Sequence, residues 1–162
     1  MASPMRKIVV LGVGNLLRQD EGVGVHAVRA LADGPCAETA ALVDGGTAAF
    51  DALSDWNDID KLVVIDALRA GREPGTIARV SLRDVADRDA PLLSLHDHGL
   101  LDQLAMLQQA GVRVGEIVIY GVEPGETGWG TDLSSPVADS LSLLEQHMVR
   151  ELGWTLVEEK PI

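Results

Sequence analysis

Aromatic residues are nearly absent from this chain, with three Trp, one Tyr and one Phe in 162 residues. Val, Leu, Ile and Ala must therefore build the core, which suits a parallel sheet covered by helices. Cysteine is scarcer still. The single Cys36 can form no internal disulfide, and the opening MASPMRK does not resemble a cleavable signal, so a cytoplasmic protein is expected. Positive charge is also short: 13 basic against 25 acidic residues leave a net charge of -12, a field that repels phosphate backbones and argues against nucleic acid as a partner. There is no long apolar run. Ile8 to Val13 is far too short to span a bilayer, so no membrane partner is expected. The G-x-S-x-G elbow and the H-E-x-x-H helix are missing too, which makes serine and zincin hydrolase chemistry poor fits.

What is present alternates between two patterns from end to end. Strand-like runs near 7–12, 39–43, 61–66, 76–80 and 116–121 are separated by helical spacing, which implies βαβ units. Helices are predicted from about Gly22 to Ala32, Thr47 to Asp55 and Gly99 to Ala110, and a last one runs to Gly153 with Ser135 as N-cap and Pro136 in its first position. The Pro74-Gly75 turn before TIARVSL points to one strand pairing antiparallel. The expected architecture is a single α/β domain over residues 1–162, with a mostly parallel, twisted sheet of about five strands between helices.

The polar residues that end these strands are the candidates for chemistry. Asp20 and Glu21 follow the first strand, Asp66 closes KLVVIDAL, and His96 and His98 close PLLSLHDHG. If the strands before Glu21 and Asp66 are parallel neighbours, both acids reach the sheet edge where α/β folds place their ligand crevice. A Glu, an Asp and a His meeting there would form a three-ligand metal site.

Each has a plainer explanation. Glu21 can simply complement a helix dipole, and Asp20 can serve as a cap while Glu21 faces the crevice. Asp66 can accept backbone N–H groups in its turn. Of the two histidines only one need be a ligand, and His26 and His147, on predicted helices, are read as ordinary surface or partly buried residues. Asp44, Gly45, Gly46 and Thr47 also face the crevice, with Asp44 free to bind a peptide N–H or a basic group, or else Gly-Gly is a tight turn and Thr47 an N-cap. Cys36 is placed in a loop with no basic neighbour to activate it.

The glycines at 12 and 14 do not make a dinucleotide site. GxGxxG needs glycine at position 17, where Leu17 stands, and Asp44 lies 32 positions beyond Gly12 instead of about 20.

In order along the chain, GVGNLLRQDEGVG (12–24), DGGT (44–47), VIDAL (64–68), PGT (74–76), SLHDHGL (94–100), GVEP (121–124) and LSSPV (133–137) resemble the hydrogenase maturation endopeptidase family. The resemblance implies a phosphorylase/hydrolase-like α/β domain. It also implies removal of the C-terminal extension from a nickel–iron hydrogenase large-subunit precursor after nickel insertion, by a metal-dependent or metal-recognising aspartic-type endopeptidase. Three metal-contacting positions fall on Glu21, Asp66 and His96, with Asp66 and Glu21 as the catalytic carboxylates, and the S-x-H context of Ser94 favours His96 over His98. DGGT, associated in the family with choosing the cognate hydrogenase, maps to Asp44, Gly45, Gly46 and Thr47 as substrate-binding residues. The nickel is supplied by the substrate, other divalent metals being possible substitutes, and the expected partner is the precursor, met by a monomer. Departures are Ala48-Ala49 after DGGT, where glycine is common, and His98. A non-catalytic nickel-binding chaperone using the same three residues is the alternative. A carboxylate-dyad hydrolase without metal is a third.

Overall fold

A computed structural model describes residues 6–82 and 100–153. Five strands form one sheet in the order β2-β1-β3-β5-β4: β1 (Ile8–Val13), β2 (Ala41–Gly46), β3 (Asp58–Ala67), β4 (Ile77–Ser81) and β5 (Arg113–Val122). All pairings are parallel except β4 with β5, so the antiparallel strand expected after Pro74-Gly75 lies at one edge. This is the mixed, mostly parallel α/β domain anticipated from the alternating patterns.

The faces of the sheet follow from the two-residue alternation of strand side chains. Val10, Val63, Ile65, Val118 and Tyr120 pack with Val23 and Val28 of α1 (Val23–Leu31) and with Leu144 and Met148 of α5 (Ser135–Glu151). On the other face Val9, Leu11, Leu62, Val64 and Ile119 meet Leu53 of α3 (Ala49–Leu53) and Leu104 and Leu107 of α4 (Leu100–Gln109). Central β3 is buried continuously from Lys61 to Ala67, as expected of a strand covered on both sides. Truncating Ile65, which has no exposed surface, would cost about 2–5 kcal/mol.

Helix α1 lies unusually close to this sheet, and two glycines explain why. A Cβ on Gly24 would stand 2.1 Å from the Ile65 carbonyl oxygen, and one on Gly12 would stand 2.2 Å from that of Gly24. Gly12 therefore serves helix packing.

Several predicted boundaries change. A short helix α2 (Cys36–Thr39) occupies the region expected to be a loop, with Cys36 fully buried in the core. The β3 and β5 strands extend further toward their N-termini than the apolar runs suggested, because ladder pairing continues through Asp58↔Arg113 and Lys61↔Glu116. The cap of α5 is Ser134, not Ser135, and its hydroxyl does not bond the helix but donates to Asp20.

On the α1/α5 face, Glu151 ties the end of α5 to the sheet. Its carboxylate lies 2.7 Å from Lys61 Nζ, accepts two bonds from Arg79 at 2.8 and 3.0 Å, and accepts the Tyr120 hydroxyl. The Arg79 bonds, assisted by Lys61 and Tyr120, outweigh burial and pull the Glu151 carboxyl down to about 2.

Candidate functional site

The strand order places a topological switch between β1 and β3. From β1 the chain moves outward to β2, then returns across β1 to β3, so the connections leave the C-terminal ends of β1 and β3 in opposite directions. Crevices form at such points. Glu21 and Asp66 lie in the segments that end these two strands.

Glu21 is delivered by a tightly built turn. Gly14 has φ +142°, and any Cβ there would stand 1.9 Å from the Glu21 carbonyl oxygen, so only glycine lets the chain fold back this closely. Asn15 Oδ1 accepts the Leu17 N–H at 2.9 Å, and a 3₁₀ turn (Gln19–Gly22) then precedes α1. Glu21 is partly buried in that turn.

Asp20 does not cap α1. Fully buried, it accepts the N–H groups of Gly125 and Glu126, each at 2.8 Å, and both the N–H and the hydroxyl of Ser134 at 2.7 Å. Burial alone would raise its pKa, but these bonds, that of the Ser134 hydroxyl foremost, hold the carboxyl below its usual range. Its side chain is committed to the 125–134 loop, which is why it cannot reach the start of the helix. The acid pair thus divides its labour: Asp20 joins two loops, and Glu21 faces the crevice.

Asp66 is the penultimate residue of β3, on the same alternation as Leu62 and Val64 and therefore on the α3/α4 face. One oxygen, Oδ1, accepts the Ala67 N–H at 2.8 Å, which is the turn bond anticipated from its position. That bond does not balance the charge. Burial pushes the Asp66 carboxyl up to about 7, the Ala67 N–H opposes the rise, and the negative charge of Glu21 adds to it. A buried acid beside a second acid is a place where a cation or a proton is welcome.

Glu21 and Asp66 line one cavity of about 340 Å³. Gly14 and Asn15 form its wall beside Glu21, while Thr47 and Gln103 enter from β2 and α4. Of the four DGGT residues only Thr47 reaches this cavity. Asp44 and Gly45 belong to β2; the Asp44 carboxylate pairs with Arg29 at 3.0 Å and accepts the Gly46 N–H at 3.1 Å, and Gly45 is buried against Leu11. Gly46 ends the strand with φ +48°, and its carbonyl accepts the Gly14 N–H at 2.8 Å. Thr47 is not an N-cap, a position held by Ala48.

His96, with His98 and Ser94, lies outside the described residues. Among the described residues no group of three or more His, Cys, Asp or Glu is arranged to hold a metal ion. Cys36 is unsuited to nucleophilic work, since burial raises its thiol pKa and Glu145 adds to the rise. His147 stacks obliquely on Tyr120 at 5.9 Å, and His26 has a buried Nε2 without a hydrogen-bond partner.

Asn15 and Gln103 join the site without having been singled out from the sequence. Asn15 carried a usable signal, as the side-chain amide next to Gly14 after β1; Gln103 sits on a helix whose amphipathic pattern assigns it only to a partly buried flank. Glu123 is a third omission. Its carboxylate accepts the Ala70 N–H at 2.7 Å, and so anchors the loop that follows Asp66.

Among proteins of known function, the hydrogenase expression/formation protein HupD of Rhizobium leguminosarum bv. viciae is 33% identical over 152 residues, covering 92% of this chain and 75% of its own. The hydrogenase 2 maturation protease of Escherichia coli K12 is 34% identical over 120 residues, covering 73% of each chain. The solved structure of the hydrogenase maturating endopeptidase HybD from E. coli superposes with a TM-score of 0.72 at 29% identity, over 91% of this chain and 94% of that one. The family profile described as HycI, hydrogenase maturation protease, matches residues 25–151. With the fold, the switch-point cavity and these matches in agreement, the chain belongs to the hydrogenase maturation protease family.

Proposed function

We propose that the cavity holding Glu21 and Asp66 is where this peptidase meets the nickel-bearing end of a nickel–iron hydrogenase large-subunit precursor and removes its C-terminal extension. The observation that carries this reading is Asp66: a buried carboxyl at about 7, with Glu21 on the same cavity and one accepted hydrogen bond. Two carboxylates to which the structure gives no ion-pair partner among the described residues suit a divalent cation. His96, as a third donor, would complete a mixed oxygen and nitrogen set that accepts nickel. The metal belongs to the substrate in this reading, so the precursor is recognised only once loaded.

For the hydrolysis itself, a carboxylate at the cavity can move a proton in both directions. Asp66 takes a proton from the water that attacks the scissile carbonyl, and returns it to the amine nitrogen as the C–N bond breaks. Thr47, at the mouth of the cavity and ending DGGT, contacts the precursor and contributes to choosing it. Asp44, Gly45 and Gly46 act behind it by shaping that strand end, and Asp44 does so through Arg29.

The test is incubation of the purified protein with a nickel-loaded precursor, with loss of the extension read by mass spectrometry. Asp66→Asn, Glu21→Gln and His96→Ala are each expected to abolish trimming while leaving the circular dichroism spectrum unchanged. Trimming at normal rates by any of the three would remove that residue from the site. Unchanged precursor mass with the wild-type protein, but retained binding, would favour the chaperone alternative. Because the ligand set is completed by the substrate, the isolated protein should hold nickel only weakly, and calorimetry showing a tight nickel site without precursor would contradict this.

A further inference from the structure

Beside the cavity, the turn carrying Glu21 and the loop after β5 form a small braced ledge. Arg18 and Gly130 make a parallel β-bridge, Gln19 N–H donates to the Gly130 carbonyl at 2.9 Å, and Gly130 N–H donates to that of Leu17 at 3.0 Å. Arg18 Nε donates to the Thr127 carbonyl at 2.9 Å, and Gly128 N–H donates to Gln19 Oε1 at 3.0 Å. Gln19 is held at φ 48°, a left-handed conformation costly for any residue but glycine, and Asp20 locks the frame from beneath.

On this rigid frame stand two large apolar side chains that are left exposed among the described residues. Trp129 is 78% exposed and Leu17 57% exposed, the two most exposed large hydrophobics among the described residues. The Arg18 guanidinium carbon lies 5.0 Å from the centre of the Trp129 ring, so the indole is stacked and oriented while its surface stays in water. Tryptophan and arginine on a preorganised support are the residues that carry binding energy in protein interfaces. A folding role does not account for them, because neither large apolar side chain is buried.

The geometry points to this ledge, Leu17, Arg18 and Trp129, as the docking surface for a stretch of the precursor polypeptide next to the scissile bond, one bearing an apolar side chain and a carboxylate. Two observations select that occupant. The ledge is continuous with the cavity: Leu17 is bonded to Asn15, a cavity wall, and Glu21 follows in the same turn. Two guanidinium groups also stand at the ledge, beside the exposed acids Glu126 and Asp132 of the same loop. In a chain of net charge -12, Arg18 and Arg69 converge on Thr127, Arg69 donating to the Thr127 hydroxyl at 2.7 Å. A second copy of this acidic chain is the less suitable occupant.

This inference rests on the peptidase reading of the cavity, and its test separates the two. Trp129→Ala, Trp129→Phe and Leu17→Ser are compared with Met106→Ser and Leu143→Ser, which alter exposed hydrophobics on α4 and α5. Against nickel-loaded precursor, Trp129→Ala should raise KM about tenfold with kcat within about twofold of wild type, Leu17→Ser should raise KM several-fold, Trp129→Phe should recover most of the loss, and the two controls should be silent. Unfolding midpoints are measured alongside, so that KM changes in folded variants report docking. In a Glu21→Gln background, which is not expected to cleave, added Trp129→Ala should weaken precursor binding about tenfold by fluorescence anisotropy. Unchanged KM and unchanged binding would overturn the ledge. Trp129-dependent binding by a wild-type protein that never cleaves would uphold the ledge and overturn the peptidase reading. Sedimentation showing a dimer that Trp129→Ala dissociates would assign the surface to self-association instead, and overturn the proposal.

Discussion

Ser134 and Asp20, 114 positions apart in the chain, share two hydrogen bonds of 2.7 Å, one from the Ser134 N–H and one from its hydroxyl. The residue that stands at the N-cap of α5 is thereby diverted from capping its helix to holding the turn after β1. With the Gly125 and Glu126 amides on the same carboxylate, Asp20 fixes the position of Glu21 from the adjacent residue. Asp20→Ala should therefore destabilise the fold by about 2–4 kcal/mol in urea denaturation, since several donors lose a buried acceptor at once. Asp20→Asn keeps one oxygen and should lose roughly half as much. Its trimming rate should nevertheless fall well below wild type under conditions where the variant is fully folded. An Asp20→Asn protein of normal activity would show that Glu21 does not depend on this brace.

Asp66 should trade stability for function. Its folded pKa of about 7 lies above the ordinary 3.8, so the folded state binds a proton more readily than the unfolded one between those values. The sign follows: stability falls as pH rises from about 4 to about 7 and then levels. Asp66→Asn removes the charge while keeping the shape, and at pH 8 it should be more stable than wild type by on the order of 2 kcal/mol while failing to trim the precursor. Thermal denaturation at pH 5 and pH 8 measures this, with the gain confined to the higher pH. A destabilised Asp66→Asn at pH 8 would mean that the carboxylate is held for structural reasons.

Much of the fold was legible because its signals are local. The run Val63-Val64-Ile65 reads as a buried strand, and the Pro74-Gly75 turn pointed to an antiparallel pairing, which the structure puts at the sheet edge. The ends of β3 and β5 were less so, because Asp58, Asp60 and Glu116 interrupt the apolar pattern while backbone pairing continues. In the site, Asp66 and Glu21 could be read from their places at strand ends, and so could a division of roles between Asp20 and Glu21, but not that Asp20 would brace the 125–134 loop instead of capping a helix. That difference is set by a loop more than a hundred residues away. Thr47 was grouped with Asp44, although alternation along β2 and the Arg29 pair direct Asp44 away from the cavity.

The Glu151 cluster predicts an acid-sensitive tether. The Glu151 carboxyl is lowered from 4.5 to about 2, chiefly by Arg79 with help from Lys61 and Tyr120, so it stabilises the fold above about 4.5 and that contribution is lost as pH falls toward 2. Allowing for solvent screening at half-exposed Arg79, the loss is on the order of 2 kcal/mol. Glu151→Gln should lower stability by a similar amount at pH 7 and flatten the decline between pH 4.5 and 2. An unchanged acid limb in Glu151→Gln would assign that decline to other carboxyls.

The close approach of α1 to the sheet gives the most direct steric prediction. At Gly24 an added Cβ would collide with backbone atoms on two strands, the Ile65 oxygen at 2.1 Å and the Val13 oxygen at 2.4 Å, and neither belongs to a flexible side chain that can move aside. Alanine normally favours a helix interior over glycine by about 1 kcal/mol. Here the sign should reverse. To accept the methyl group, α1 must lift from β1 and β3, opening the packing of Val23 and Val28 against Val10 and Ile65. Gly24→Ala should cost about 3 kcal/mol or more, in the range of core overpacking, and because Ile65 is followed by Asp66 the displacement should also reduce trimming. Urea denaturation compared with Ala30→Gly, an exposed site on the same helix where the usual propensity applies, separates the two contributions. If Gly24→Ala were as stable as wild type, the helix would have to sit farther from the strands than described here.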